Sequence, residues 1–125
     1  MIHLQNSLIG LKNGYNAHKS AIKITNTKKS VQLLKILKTH GLINTWAPVN
    51  TKELKVYLKY AFASPSLKSI TPLIKPSIPT YISVKDLSKL KYSLGILILD
   101  TSSGLITKDK ALSLKVGGTL VCYIR

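Results

Sequence analysis

The stretch Gly95-Ile96-Leu97-Ile98-Leu99-Asp100-Thr101-Ser102-Ser103-Gly104 decides the fold prediction for the second half of the chain. Its first five residues are apolar enough for a buried strand, and the small polar residues that follow predict a tight turn. A similar pair occurs near the C-terminus, where the turn 116–119 precedes the apolar run 120–124. Small residues let a backbone approach a partner closely and offer hydrogen-bond donors without bulk. We therefore expect two buried strands, each next to a turn that contacts a partner.

The charge of the chain indicates an anionic partner. Nineteen lysines and arginines face four acidic residues among 125, giving a net charge of +15, so most of the positive charge must point outward. Only Arg125 is an arginine, and lysine acts on phosphate as a point charge rather than as a base-reading fork. This composition favours binding to a nucleic-acid backbone. The alternative is that the lysine-rich composition reflects the codon usage of an AT-rich genome, which favours Lys, Asn and Ile.

Other classes of protein are disfavoured by what the sequence lacks. The single cysteine, Cys122, excludes an internal disulfide and a thiolate zinc cluster, and it lies in an apolar run typical of a buried strand. His3, His18 and His40 lack the i, i+4 spacing of a metal site. No apolar run is long enough for a bilayer, and residues 1–10 do not resemble a secretory signal. We expect an intracellular protein that is not an enzyme and has no metal, cofactor, membrane partner or small-molecule substrate.

Residues 1–62 predict an N-terminal domain in the order α-β-α-β-β. The predicted elements are a helix over 2–11 ended by Asn13-Gly14, a strand over 21–25, a helix capped by Thr27 that runs to His40, and a hairpin of 43–47 with 53–61. Residues 63–68 form the predicted linker because they are small and include a proline.

Residues 69–125 predict a second domain that is mainly β with short helices. Strands are expected over 69–74 and 78–82 around a turn at 75–77, and a helix is expected to begin after Ser83 and to run to about Tyr92. The strands 95–99 and 120–124 follow, joined by a short helix that begins after Thr107. The predicted fold class is α+β, with two small packed domains.

This order of turns and strands resembles the small-subunit ribosomal protein eight family of the bacterial type over nearly the whole chain. In the first half the resemblance rests on Lys12-Asn13-Gly14, on Gly41-Leu42-Ile43 and on the strand from Leu54 to Tyr60. In the second half it rests on Lys75-Pro76, Tyr81, Leu94-Gly95-Ile96, Thr101-Ser102, Gly104, Thr107, Gly117-Gly118 and Cys122-Tyr123. Each motif alone is weak, whereas their order and spacing through the last third are specific.

The resemblance implies a structural protein that binds a helix in the central domain of small-subunit ribosomal RNA, early in assembly and beside neighbouring ribosomal proteins. The family's Ser-Thr-Ser-Lys-Gly loop and Gly-Gly pair face that RNA, and they correspond here to residues 100–104 and 117–119. Three positions depart from the family pattern. Asp100 replaces the usual serine, Ser103 replaces a lysine, and Thr119 replaces a frequent glutamate.

An A-form RNA helix is recognised by shape, by its 2′-hydroxyls and by its phosphates. The residues predicted to contact it are Thr101, Ser102, Ser103, Gly104, Gly117, Gly118, Thr119, Tyr81, Lys75, Lys28, Lys29, Lys108, Lys110 and Lys115. Hydroxyls suit the ribose, glycines admit close backbone approach, Tyr81 suits stacking on a base, and lysines suit phosphates. The alternatives are an ordinary hairpin turn over 101–104, a tyrosine packed against a helix, and a solvated lysine surface.

The favoured function is a structural constituent of the small ribosomal subunit that supports rRNA assembly in translation. The alternative is a general basic protein that binds nucleic acid or anionic surfaces without a specific ribosomal site. The preference for lysine over arginine, the Asn and Ile content and the lack of a presequence predict a mitochondrial location. A plastid or a bacterial cytoplasm is the alternative location.

Overall fold

A computed structural model of the protein describes residues 2–61, 64–65, 69–73, 81–89 and 95–125. The elements are α1 (Ile2–Asn16), β1 (Ala21–Thr25), α2 (Lys28–Thr39), β2 (Ile43–Pro48), β3 (Glu53–Leu58), β4 (Tyr60–Ala61), β5 (Ser64–Pro65), β6 (Ile70–Pro72), β7 (Tyr81–Ile82), α3 (Val84–Lys89), β8 (Ile96–Thr101), β9 (Gly104–Thr107), α4 (Lys108–Leu114) and β10 (Gly118–Ile124). They divide into two compact units, 1–69 and 70–125. The predicted α+β class is confirmed.

The first unit is a three-stranded antiparallel sheet, in the order β1-β3-β2, with α1 against β1 and α2 against β2. Leu54, Val56 and Leu58 of the central strand are buried, and the sequence predicts this because they alternate with Glu53, Lys55 and Tyr57. The helices contribute a further buried set: Leu4, Leu8, Leu11, Tyr15, Leu33, Leu34 and Leu37. One face of the sheet therefore carries the core of this unit.

The second helix begins and ends where the sequence predicted. Thr27 is the N-cap, and its hydroxyl accepts a hydrogen bond from the backbone N–H of Ser30 at 3.1 Å. His40 is the C-cap, and Gly41 follows with a φ of 71°, a left-handed conformation that glycine adopts without strain.

The first helix is longer than predicted, so the predicted end at Asn13-Gly14 is wrong. The helix continues through Gly14 to Asn16, and Gly14 is buried within it. A Cβ built on Gly14 would lie 2.5 Å from Cγ2 of Ile22 and 3.2 Å from Cδ1 of Leu58. This glycine therefore allows α1 to pack closely on the sheet, and it does not terminate the helix.

Two further differences occur around the predicted domain boundary. The strand predicted over 53–61 is divided, because β3 ends at Leu58 and residues 60–61 form β4. The short strand β4 pairs with β5, whose residues 64–65 fall within the predicted linker 63–68. The remaining linker residues lie outside the described residues.

The second unit is a five-stranded antiparallel sheet organised around β10. On one side β10 pairs with β8, and β9 pairs with β8 beyond it. On its other side β10 pairs with β7 near its start, at Gly118 and Thr119, and with β6 near its end. The strand β9 was missed by the sequence prediction, because four residues between a turn and a helix give too short an alternation to recognise. The predicted strand over 69–74 is observed at Ile70–Pro72, and the predicted turn at 75–77 lies outside the described residues.

Helices α3 and α4 cover one face of this sheet. Their buried residues Leu87 and Ala111 pack with Leu97, Leu99 and Ile106 of β8 and β9. Helix α3 begins as predicted, since the backbone N–H of Asp86 donates to the Ser83 hydroxyl at 3.3 Å, and it is described as far as Lys89. Helix α4 also begins as predicted, after the N-cap Thr107. No helix in the described ranges is both long and apolar enough to cross a membrane.

Candidate functional site

Two small-residue segments meet at one end of the second unit's sheet. We call residues 101–104 the serine turn, and Gly117 with Gly118 the glycine pair. A Cβ built on Gly118 would lie 2.6 Å from the backbone oxygen of Asp100 and 2.8 Å from Cγ2 of Thr101. The next residue, Thr119, is the strand partner of Asp100. The sequence predicted both segments, and the structure places them side by side.

The serine turn is held together by the side chain of its first residue. The Thr101 hydroxyl donates to the backbone oxygen of Gly104 at 2.9 Å and accepts from the backbone N–H of Ser103 at 3.1 Å. Gly104 has a φ of 99°, in the region that favours glycine, and Thr101 and Gly104 form the first pair of the β8–β9 hairpin. Ser102 and Ser103 at the tip are exposed. The hydroxyl of Thr101 therefore shapes the turn, whereas those of Ser102 and Ser103 face solvent.

The neighbouring strands of the sheet require glycine at both positions of the glycine pair. Besides the close approach at Gly118, a Cβ on Gly117 would lie 2.5 Å from the backbone oxygen of Ile82 and 2.9 Å from the Tyr81 hydroxyl. Real Cβ atoms essentially never come within 3 Å of a backbone oxygen, so neither position admits a side chain unless a strand moves. Close packing of β7, β8 and β10 thus explains both glycines, beyond the access to a partner that the sequence suggested.

Tyr81 lies at this end of the sheet and is not a core residue. Its side chain is 68% exposed, and the residue pairs with Thr119 across the β7–β10 ladder. Because Thr119 also pairs with Asp100, these three residues form a row across three strands, and paired residues of antiparallel strands project to the same face. A tyrosine, a threonine and a carboxylate therefore line one face beside the serine turn.

The predicted lysines are distributed unevenly around this end. Lys115 is exposed, ends α4 in a left-handed conformation with φ 56°, and lies two residues before the glycine pair. Lys108 and Lys110 begin α4 at the opposite end of β9, roughly 10 Å of strand away from the serine turn. Lys28 and Lys29 belong to the first unit, at the start of α2. Lys75 lies outside the described residues.

The roles of Thr101 and of the glycines within the fold were missed by the sequence reasoning. A threonine three residues before a glycine is a pattern typical of a side chain that closes a turn, and it was the available signal. The contacts of Gly117 and Gly118 with β7 and β8 had no such signal, since they depend on strands distant in sequence.

Among the described residues, the remaining reactive groups form no second site. Cys122 is fully buried in β10, and burial raises the pKa of its thiol to about 12. In the parts of the chain that the structure describes, His, Cys, Asp and Glu do not gather in groups of three that could hold a metal ion.

Comparison with known proteins identifies the family. The sequence profile described as Ribosomal protein S8 matches residues 3–125. The small ribosomal subunit protein uS8 of Shewanella amazonensis is 34% identical over 120 residues, covering 94% of this chain and 92% of that protein. The same protein of Nitrosomonas eutropha is 33% identical with equal coverage. That of Psychromonas ingrahamii is 31% identical over 123 residues, covering 97% of this chain and 95% of its own length. The chain therefore belongs to the ribosomal protein S8 family.

Proposed function

We propose that this chain is a structural constituent of the small ribosomal subunit and binds a helix in the central domain of small-subunit rRNA. Family membership supports the assignment to the subunit, beside neighbouring ribosomal proteins. The main support for an RNA-binding surface here is the contact between the glycine pair and the serine turn at adjacent strand ends. Together they form a platform of small residues, at which Ser102 and Ser103 are exposed.

The proposed contacts follow from the chemistry of an A-form helix. Its shallow minor groove presents 2′-hydroxyls, which donate and accept hydrogen bonds. Ser102 and Ser103 offer exposed hydroxyls at the tip of a turn that Thr101 holds in place. Tyr81, on the row beside them, offers an exposed ring on which an unpaired base can stack, an interaction worth about 1–3 kcal/mol. Thr101 thus acts as a positioning residue in this proposal.

The net charge of +15 supplies the second part of the interaction. Lys115 is the predicted lysine nearest to the platform in sequence, and we propose that it contacts a phosphate. Lys28, Lys29, Lys108 and Lys110 contribute to the general positive field, and Lys75 remains a candidate phosphate contact. Lysine–phosphate contacts release counterions, so binding weakens as salt rises.

We also propose that the chain has no catalytic role. Cys122 is the strongest candidate nucleophile by residue type, and a thiol acts as a nucleophile in its thiolate form. Burial raises its pKa to about 12, so at neutral pH the group is protonated as well as inaccessible. This supports a packing role within β10.

Binding to a transcribed central-domain helix, compared with a scrambled RNA of the same length in moderate salt, tests the proposal. We expect a clear preference for the folded helix, and Ser102→Trp should weaken that binding on the order of tenfold without loss of stability. Ser20→Trp, at an exposed serine in the first unit, is the matched control. Equal affinity for both RNAs would instead support a general basic binding protein, and unchanged affinity of Ser102→Trp would remove the serine turn from the site.

We further infer that the ribosome concerned is mitochondrial. Eighteen of the nineteen basic residues are lysine, since Arg125 is the single arginine, and this bias is typical of an AT-rich organelle genome. The chain should co-sediment with small subunits from purified mitochondria at high salt. Recovery with plastid or bacterial subunits instead would contradict the location while leaving the ribosomal role intact.

A further inference from the structure

The two edges of the first unit's sheet differ in regularity. At one edge, the pairing of β2 with β3 shifts register between Ile43 and Thr45, and the strand ends at Pro48. Bulges and prolines are features that prevent a strand edge from pairing further. At the other edge, β1 pairs with β3 in unbroken register over residues 21–25. In the part of this unit that the structure describes, β1 is therefore the regular edge.

The backbone hydrogen bonds show which groups of β1 point outward. Leu58 N–H donates to Ser20 O at 2.9 Å, and Asn26 N–H donates to Lys52 O at 2.8 Å. In an antiparallel ladder every second residue exchanges bonds with its partner strand, so the even-numbered residues of 20–26 face β3. The N–H and C=O groups of Ala21, Lys23 and Thr25 consequently point away from the sheet. They form an alternating series of donors and acceptors.

A groove runs along this edge between α1 and β1. It has two parts, with volumes of about 360 Å³ and 170 Å³. The larger part is lined by Gly10, Asn13, Gly14, Lys19, Ala21, Ile22, Lys23 and Lys55, and the smaller by Asn6, Ser7, Lys23, Ile24, Thr25 and Glu53. Ile22 lines the larger part and Ile24 lines the smaller part. The edge thus adjoins a concave surface with some apolar character.

The charges along the groove define its polarity. Lys23 and Lys55 are direct strand partners, and like charges in that position destabilise a sheet unless an anion lies between them. Lys19 adds a third cation to the larger part, whose lining includes no acidic residue. Glu53, which pairs with Thr25, lies at the other end. Three lysines against one glutamate along the groove favour an acidic occupant.

We propose that the outer edge of β1 binds an extended acidic segment of a partner protein, which adds to the sheet as a fourth strand. A peptide strand matches the outward N–H and C=O groups of Ala21, Lys23 and Thr25 one for one. RNA has donors in its 2′-hydroxyls, but it lacks the regular alternation of N–H and C=O groups that a peptide strand brings to this edge. Lys23 also discourages pairing with a second copy of this basic chain, which explains how the edge stays selective. The proposal is independent of the RNA-binding platform in the second unit.

Amide hydrogen exchange of the full chain with a synthetic probe tests this inference. The probe is a capped heptapeptide of alternating glutamate and threonine, which has an extended preference and acidic side chains. At saturation, exchange should slow about threefold or more at residues 21, 23 and 25. Residues 22 and 24, whose amides already face β3, should change little. The control probe carries N-methyl groups on alternate amides, which removes main-chain donors while keeping every charge, and it should not protect these residues.

Matched protein variants separate this site from the RNA platform. Lys23→Glu should weaken peptide binding about fivefold, whereas Lys35→Glu, the same charge change on the exposed face of α2, should alter it less than twofold. Ser102→Trp should retain peptide binding, and Lys23→Glu should retain the preference for the rRNA helix. Equal binding of the N-methylated peptide, or equal protection of residues 21, 23 and 25 by a short RNA duplex, would overturn the inference.

Discussion

The serine turn and the glycine pair lie against each other, yet their small residues are small for different reasons. In the serine turn, Thr101 bonds to Gly104 and Ser103, and this leaves the hydroxyls of Ser102 and Ser103 exposed. In the glycine pair, the absence of side chains lets three strands approach closely. The Thr101 side chain holds the serine turn in shape, whereas the absence of side chains allows the close packing at the glycine pair. Residue type alone therefore does not separate a contact surface from a packing requirement.

The largest expected effect is at the glycine pair. Gly118→Val places a Cβ 2.6 Å from the Asp100 backbone oxygen, so β8 or β10 must move. We expect a loss of about 2–3 kcal/mol in the free energy of unfolding, measured by urea denaturation. Ser103→Val, at the exposed tip of the serine turn, should change stability by roughly 0.5 kcal/mol or less. Comparable losses for both variants would mean that the two segments do not differ as described.

The second prediction uses the buried thiol that follows the glycine pair in β10. Folding raises the pKa of Cys122 from an ordinary value of 9.0 to about 12, so the folded state favours the protonated thiol. Its contribution to stability is full below pH 9 and falls as pH rises from 9 toward 12.

The measurement for this thiol is a pair of unfolding curves at pH 7 and pH 10. The wild type should lose about 1 kcal/mol more than Cys122→Val between the two conditions, because the variant has no thiol to ionise and keeps the tyrosines. Equal losses would show that β10 opens readily at this point, and the packing described around the glycine pair would be wrong.

The third prediction concerns the side chain that shapes the serine turn. Thr101→Val keeps the shape of the residue but removes the hydroxyl that bonds to Gly104 and Ser103. We expect the free energy of unfolding to fall by about 1 kcal/mol, with weaker RNA binding because Ser102 and Ser103 are less well positioned. Thr101→Ser should restore most of both properties. If Thr101→Val weakened RNA binding with no loss of stability, Thr101 would itself be a contact residue.

The smallest expected effect is a gain. Ser103→Lys places a lysine at the exposed tip of the serine turn, where the resemblance implies one. RNA binding at low salt should tighten about two- to threefold, and the dependence of log affinity on log salt should steepen by about 0.7–0.9, as one added phosphate contact requires. Ser113→Lys, at an exposed position of α4, is the charge-matched control. Equal gains from both variants would assign the effect to overall charge.

Much of this protein could be predicted from local sequence. Periodicity and capping residues gave α2 and its N-cap Thr27, the buried alternation of β3, and the starts of α3 and α4. These features depend on residues within one or two turns of each other, so they can be recognised without knowing the fold. The two small-residue segments of the second unit were recognised in the same way, from apolar runs next to Ser, Thr and Gly.

Long-range packing decided the rest. Local sequence rules predict that Gly14 ends the helix. In the structure Gly14 lies within α1, in close contact with Ile22 and Leu58. Gly117 and Gly118 were predicted to admit a partner, and their nearest neighbours are in fact β7 and β8. The regular outer edge of β1, with its lysines, follows from the strand order β1-β3-β2, which no local pattern contains. The sequence by itself determined most of the elements and the overall charge, whereas the tertiary structure decided which small residues are packed and which are exposed. The reason is that steric contact between distant segments does not appear in local periodicity.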